Sequence, residues 1–441
     1  MSSTVFKGGV HPNHHKETTA TMAVTAMKVP ERVIIPLQQH IGAPCEPLES
    51  IAVGVPVKKG QKIGESSGFV SAPIHASISG TVTAIGPYNH PLGRPVQAIT
   101  IESDGEDRWD DQVKPAGELE KLKPEEIRKI VREAGIVGLG GATFPAHVKL
   151  SPPADKKIDI VIINGAECEP YLTADHRVML EKPEEIVFGL KVMIKALGAE
   201  KGVIGIEDNK DDAIRVMEQI VSEEENISVT RLHTKYPQGA EKMLIQVITG
   251  RKVPAGGLPL DIGVVNHNVG TAVAIANALR EGKPLIERVL TVTGAGVNRP
   301  ANLLVRVGTL VSEVLESCGG LKDTTQKLII GGPMMGLAQP NPDIPVIKGT
   351  SGILALTDQD VYLAESSPCI RCGKCVDACP VQLLPTAIVQ AAEHKLYKQA
   401  EKLHATDCFE CGCCSYVCPS KILLTQWIRI AKAEIIKAKK R

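Results

Sequence analysis

Cys369-Ile-Arg-Cys372-Gly-Lys-Cys375-Val-Asp-Ala-Cys379-Pro380 decides how the end of this chain folds, because the pattern is written twice. The second copy is Cys408-Phe-Glu-Cys411-Gly-Cys-Cys414-Ser-Tyr-Val-Cys418-Pro419. Three thiolates with two residues between them wrap a loop round one corner of an iron–sulfur cubane. A fourth Cys, followed by Pro, leaves that loop. Zinc sites usually come as separated Cys-x-x-Cys pairs, so two full copies of the longer run argue against zinc, and equally against disulfides. The runs are the pattern of two [4Fe–4S] clusters and mark the chain as an electron carrier.

The spacing resembles that of bacterial dicluster ferredoxins, in which the fourth Cys reaches the other cluster. That resemblance implies one cluster on Cys369, Cys372, Cys375 and Cys418, and another on Cys408, Cys411, Cys414 and Cys379. Thiols committed to clusters suit a reducing cytoplasm. Cys413, off register beside Cys414, reads as a spare thiol. Cys45, Cys168 and Cys318 read as buried small residues.

At 441 residues the chain is too long for one ordinary core, so several domains are expected. Lys plus Arg and Asp plus Glu are both 50, and a formal charge of zero argues against a nucleic-acid binder. Aromatics are 3% while Gly and Pro number 40 and 30, which points to a loop-rich α/β protein rather than a helical bundle. Residues Met1 to His15 are polar and do not read as a signal peptide, and no apolar stretch approaches bilayer length.

The chain divides by texture. After an N-terminal segment at 1–29, residues 30–102 are short β segments broken by Gly and Pro. Val55–Gly64 and Ala72–Ile85 resemble the halves of a biotinyl/lipoyl-type barrel-sandwich domain. The tip that carries the modified Lys in such carriers reads Val70-Ser-Ala-Pro-Ile-His75 here, without Lys, so a structural or docking module is expected. Residues 103–123 are charged, with Gly105, Pro115 and Gly117, and read as a linker. Pro124–Ala134 reads as a helix ended by Gly135. Apolar runs at 158–163 and 202–206 read as parallel strands, alternating with helical patterns at 183–197 and 210–222, so 124–284 is an α/β domain. Residues 285–358 return to β text, with strands at 288–294 and 304–308 and a helix at 311–317, and resemble an SLBB-like β-grasp domain. The cluster domain spans 359–420, with a helical segment at 384–402 between the Cys runs. Residues 421–441 mix Trp427, Ile428, Ile435 and Ile436 with Lys and Arg. They read as a basic amphipathic helix, lying on an anionic membrane or a partner, or packed on its own protein. The fold class is multidomain α/β and α+β.

Gly138-Leu-Gly-Gly-Ala-Thr-Phe-Pro145 fails as a Rossmann fingerprint, because it follows a helix and Thr143 stands at the third Gly position. Its glycines nonetheless let backbone N–H groups approach a phosphate or a flat ring. Lys149 can neutralise phosphate, and Asn164, Asn266 and Asn268 offer donors and acceptors to a flavin edge or ribityl chain. With Asn164-Gly-Ala-Glu-Cys-Glu-Pro170, Tyr236-Pro-Gln-Gly-Ala-Glu241 and Val265-Asn-His-Asn-Val269, this loop resembles the NADH- and FMN-binding subunit of respiratory complex I, over roughly 124–280. The resemblance implies that Gly138, Gly140, Gly141, Lys149, Asn164, Tyr236, Gly239, Glu241, Asn266 and Asn268 bind the FMN and NAD(H) cofactors. It also implies that Phe144 stacks near the nucleotide, and that Glu167 and Glu169 face flavin and dinucleotide. Leu139, Ala166 and Ala240 replace an Arg, an Asp and a Glu of that family, so the site is expected to be similar in outline with fewer polar contacts.

NADH gives up two electrons at once and a [4Fe–4S] cluster takes one, while a flavin handles both. The combination implies a wire of NAD(H), FMN and two clusters, with no catalytic acid required. Phe6-Lys-Gly-Gly-Val-His-Pro12 and the order of the domains resemble the RnfC family of Rnf electron transport complexes over nearly the whole chain. What the resemblance implies is a peripheral component on the cytoplasmic face of the bacterial membrane. It would be joined to the complex's membrane subunits, exchange electrons with ferredoxin through them, and bind no nucleic acid. A free-standing reductase such as a cobalamin reductase, and a flavin-free electron wire or scaffold, are the alternatives. In the cobalamin reductases the barrel-sandwich module follows the clusters, whereas here it comes first.

Overall fold

Strand Ile160–Gly165 is buried on both faces except at Asn164, as a strand covered on both sides must be. In the computed structural model, which describes residues 5–361 and 365–439, it lies inside a four-stranded parallel sheet. The strand order is Ile227–Leu232, Lys201–Glu207, Ile160–Gly165, Val264–Asn268. Val161, Ile163, Ile204 and Ile206 pack against helices Pro183–Leu197 and Val269–Arg280. On the other face Ile160, Ile162, Val203 and Val264 meet Met243, Leu244 and Val247 of helix Glu241–Thr249, and Phe6 from the N-terminal segment. The chain starts this sheet in the middle and builds outward both ways. The crevice beyond the carboxyl ends of Ile160–Gly165 and Val264–Asn268 is therefore the topological switch point, where open α/β sheets bind ligands.

Helix Pro124–Glu133 starts where its sequence says, with Pro at the first turn and Glu126 accepting from the Lys123 amide at 2.7 Å. Helices Pro183–Leu197 and Asp211–Ile220 fall on the expected patterns.

Residues 32–103 form two facing antiparallel sheets. One has the order Arg32–Pro36, Val96–Ser103, Gly80–Tyr88, Pro56–Val57, and the other Cys45–Pro47, Lys62–Ser66, Ile74–His75. Val33, Ile35, Ile63, Ile74, Val82, Ile99 and Ile101 fill the space between them. The Val70–His75 tip is not a swinging arm. Ser71, Ala72, Ile74 and His75 are buried, and the Lys348 ammonium ties Pro73 O (3.0 Å) to Gly135 O (2.6 Å) in the α/β domain. The expected linker is also packed down. Asp107 pairs with Lys59 and with Arg306 (2.9 Å), and Lys59 lies 4.5 Å over the Trp109 ring.

The third unit is a six-stranded mixed sheet, ordered Val24–Ala26, Ala301–Arg306, Glu287–Thr293, Gly352–Thr357, Thr325–Ile330, Leu337–Gln339, with helix Val311–Ser317 over it. Its first strand comes from the N-terminal segment, pairing parallel with Asn302–Leu304. That segment is thus structural, though residues 1–4 of the 1–29 reading lie outside the described residues.

In the cluster domain the expected helical segment is two helices, Pro385–Glu393 and Tyr397–Lys402, broken where Lys395 takes a positive φ of 57°. The last helix, Leu424–Lys439, buries Leu424, Ile428, Ala431 and Ile435 against Ile388, Val389 and Ala392. That stripe packs on its own domain, as the second of the two readings expects, while Ile430 and Ile436 stay exposed. Lys440 and Arg441 lie outside the described residues.

Candidate functional site

At the switch point the sheet delivers three asparagines. Asn164 donates to Gly239 O (2.8 Å) and accepts from the Ala166 amide (3.1 Å), which clips the strand end to the 236–241 segment. Asn268 caps helix Val269–Arg280, accepting from the Gly270 amide at 2.8 Å, and donates to Asp175 at 2.7 Å. Asn266 is buried, and its Oδ1 has no partner. Lys149 ends the short helix Ala146–Lys149, and its ammonium bridges Glu241 (2.6 Å) and Asn266 O (3.0 Å).

The glycine loop closes this crevice. Its base is tied by Gly138 N to Phe144 O at 2.8 Å and by Leu139 N to Thr271 Oγ1 at 2.9 Å. Leu139 turns its side chain into the helical core, and its carbonyl accepts from Arg288 at 2.7 Å. Gly140 and Gly141 are exposed at the rim, with Phe144 half-buried behind them. Gly141 has φ +113°, a conformation that side chains disfavour, and open space where a side chain would be.

Sequence reading passed over two residues inside its own motifs. Gln238 is 0% exposed, and among the described residues both its amide atoms lack partners. His267 is buried with Nε2 unpaired. Burial, and then the Lys149 charge, push its imidazole down to about 3, so it is neutral. An unpaired buried polar atom costs about 1–3 kcal/mol, so each of these atoms, like Asn266 Oδ1, is open to a polar guest, although Asn266 and His267 are neighbours on one strand and face opposite sides of the sheet.

The two expected carboxylates are engaged by backbone. Glu167 accepts from the Asp175 (2.7 Å) and His176 (3.2 Å) amides, capping helix Ala174–Glu181. Glu169 accepts from the Met334 (3.0 Å) and Met335 (2.8 Å) amides, reaching the loop after Thr325–Ile330. Burial pushes its carboxyl up to about 7 against those two bonds. Buried Lys16, from the N-terminal segment, donates to the carbonyls of Glu167 and Glu169 at 2.9 Å each and to Leu172 O, fixing the turn that carries both. Nothing near Lys16 or Arg288 in sequence signals these roles, because their partners are 151 and 149 residues away.

Tyr236 turns away from the crevice. It is buried, and its hydroxyl donates to Cys411 O at 2.8 Å, joining the flavin-type motif to the second Cys run. Cys379, Cys408, Cys411 and Cys414 line one cavity with Phe409 and Ile428. Backbone amides point at the sulfurs: Leu383 N to Cys379 (3.3 Å), Glu410 N to Cys408 (3.4 Å) and, in the other run, Arg371 N to Cys369 (3.4 Å). Cys375 and Cys418 are buried, whereas Cys369 and Cys372 are exposed. Such N–H donors offset thiolate charge, and four thiols lining one cavity match the ligand number of a [4Fe–4S] cluster. The residues present therefore fit both groups. Thiolates would hold the clusters, and the asparagine, Gln238 and Lys149 set would hold a flavin.

Four family models match in chain order: the RnfC barrel sandwich hybrid domain at 4–106, the Nuo51 FMN-binding domain at 131–277, the SLBB domain at 289–338 and the 4Fe-4S dicluster domain at 368–422. The C subunit of the proton-translocating ferredoxin:NAD(+) oxidoreductase complex of Clostridium ljungdahlii is 51% identical, covering 90% of this chain and 86% of that one. The chain belongs to the RnfC family of ion-translocating oxidoreductase complexes. The Na(+)-translocating counterpart from Acetobacterium woodii is also 51% identical, over 91% of this chain and 90% of that one. The C subunit of the ion-translocating oxidoreductase complex of Rhodobacter capsulatus is 47% identical, over 87% and 74%. Among solved structures, an NAD+-reducing [NiFe]-hydrogenase in the H2-reduced state aligns with TM-score 0.50 at 18% identity, over 73% of this chain and 65% of that one, which is a likeness of fold. The family brings an FMN-binding domain and a dicluster domain to one chain, so its members are electron-transfer subunits. Among the described residues no helix is long and apolar enough to cross a membrane.

Proposed function

We infer that this chain is the NAD(H)-facing redox component of an Rnf-type complex. It passes electrons between NAD(H), one FMN and two [4Fe–4S] clusters. The observation that carries this reading is the Tyr236 hydroxyl on the Cys411 carbonyl, because it joins the flavin-type crevice to a cysteine-lined cavity through one buried side chain. Cys379, Cys408, Cys411 and Cys414 hold the cluster nearer the flavin. Cys369, Cys372, Cys375 and Cys418 hold the outer one, and exposed Cys369 and Cys372 mark where electrons leave for a partner. FMN supplies the step between two-electron and one-electron transfer. Asn164, Asn266, Gln238, Lys149 and the Gly140–Gly141 rim bind and orient it. The partners are the membrane subunits of the complex, with ferredoxin served through them, and the chain sits peripherally at the cytoplasmic face. Relatives named for proton and for Na⁺ translocation are equally similar to this chain, so likeness in this subunit does not track the ion.

Anaerobic reconstitution with iron, sulfide and FMN, followed by NADH titration under EPR, tests the reading. NADH is expected to bleach the flavin and then generate two cluster signals. If the chain retains iron but no FMN and NADH bleaches nothing, it is a wire without an entrance and the reading fails.

A further inference from the structure

The turn at 331–336 joins the antiparallel strands Thr325–Ile330 and Leu337–Gln339, and its tip reaches out of the mixed sheet into two other domains. Gly336 N on Gly332 O (2.9 Å) and Gly331 N on Gly352 O (2.8 Å) hold the turn in shape. One side of the tip meets the α/β domain. Glu169 takes the Met334 amide on one carboxylate oxygen (3.0 Å) and the Met335 amide on the other (2.8 Å). Bonds to an ionised acceptor are the strong kind. Gly332 lies so close that a Cβ there would overlap the Glu169 carboxylate.

The other side meets the second Cys run. A Cβ on Gly412 would lie 2.8 Å from Met334 O, so the tip rests on the backbone beside Cys411. The Met334 side chain packs with Val10, Tyr236 and Cys411. The Cys411–Gly412 turn is therefore gripped twice, by Tyr236 on the Cys411 carbonyl and by Met334 with Glu169 behind it. The first Cys run repeats the turn without the grip. Gly373, the matching glycine, has nearly the same φ (78° against 79°) but is exposed, and a Cβ on it would meet no atom within 4 Å among the described residues. The contact is thus no requirement of the cysteine loop itself. It singles out the cluster site on the flavin side.

We propose that Glu169 is a positioning residue for electron transfer, which acts through the 331–336 tip to seat the Cys411–Gly412 turn against the α/β domain. The proposal rests on the ligand assignment and electron path given above. It gives the β-grasp domain a duty, since a protein's part in cofactor chemistry is to fix where the reactive groups stand.

The experiment uses the full chain, reconstituted anaerobically with iron, sulfide and FMN, with iron and flavin assayed in parallel. Amide hydrogen exchange is compared in the parent, Glu169→Ala and Gly332→Ala. Both variants are expected to lose protection at Met334 and Met335 on the order of tenfold, the worth of one charged hydrogen bond. Both should also lose protection across 408–414, while 369–375 exchanges as in the parent. Glu169→Gln keeps one acceptor and should recover part of the loss. In stopped-flow mixing with NADH, Gly332→Ala should bleach its flavin at the parent's rate and reduce its clusters more slowly. Unchanged exchange over 408–414 in both variants overturns the seat, whatever NADH does. Loss of protection there with cluster reduction as fast as the parent's overturns the role in electron transfer. A parent whose flavin NADH does not bleach overturns the NAD(H) reading instead, and the exchange comparison still decides the seat.

Discussion

Gln238 buries two amide atoms that have no hydrogen-bond partner among the described residues. If they serve the flavin, removing them helps the empty protein and harms the loaded one. Gln238→Leu should leave the thermal midpoint of the flavin-free chain unchanged or higher. It should also weaken FMN retention on the order of tenfold, the worth of one or two hydrogen bonds. Equal retention in both proteins, by gel filtration and flavin fluorescence, counts against the site. Glu169 makes a second prediction at this scale. Its carboxyl is held near 7 in the fold, above its ordinary value of 4.5, so between those values the folded state binds the extra proton. Stability from this group is present below 4.5 and is lost as pH rises through 7. Buried His267, pushed down to about 3, acts in the opposite direction, so only a difference between proteins isolates Glu169. Glu169→Gln mimics the protonated form. The stability of the parent relative to this variant should fall from pH 5 to 8, and parallel melting profiles across that range would sink the idea. The motifs around these residues were legible in sequence, but their duties were not. Glu169 turned to a loop 165 residues away, and a residue's orientation is set by such partners.

Elements whose ends carry local chemistry were the easiest to read. Pro at the first turn of Pro124–Glu133 and of Pro183–Leu197 fixed both starts. The break between Pro385–Glu393 and Tyr397–Lys402 has no Pro or Gly to announce it. The 103–123 stretch looked like a linker because its anchors, Lys59 and Arg306, belong to other domains. The hairpin tip at Val70–His75 shows what element docking adds. A carrier domain needs that tip free, and here Lys348 is spent holding it to the α/β domain. Burial pushes the Lys348 ammonium down to about 8, a sign of how dry the junction is. Lys348→Met would keep the packing and strip a donor from Pro73 O and Gly135 O. A loss of about 1–3 kcal/mol is expected, read as a lower thermal midpoint with unchanged iron content. A midpoint equal to the parent's would mean that the tip docks by shape alone.

Across the whole molecule, the order of four domains was legible and the strap that binds them was not. The N-terminal segment reads as a polar stretch with a family-like Phe6–Pro12 motif and no structural duty, yet Phe6 enters the α/β core, Val10 pairs with Tyr236, Lys16 fixes the 167–172 turn, and Val24–Ala26 completes the mixed sheet. Each partner is far along the chain, so no window of sequence contains the pair. The strap matters most at Gly9, whose amide donates to Ala378 O at 2.9 Å, next to the ligand candidate Cys379. Gly9 has φ +81°, and a Cβ there would lie 2.6 Å from Tyr236 O, which is sub-contact distance to backbone. Gly9→Val therefore carries the left-handed penalty, about 1–2 kcal/mol, plus that clash. The strain falls on the seam between Tyr236 and the cysteine cavity. Its cheapest relief is to part the cluster domain from the α/β domain, since each has its own hydrophobic core. The variant is expected to bind FMN and iron like the parent, to bleach its flavin with NADH at the parent's rate, and to reduce its clusters more slowly, as read by stopped-flow absorbance. Parallel slowing of flavin and clusters would instead put the damage in the crevice. Unchanged cluster reduction would show that the strap holds the domains without setting the electron path.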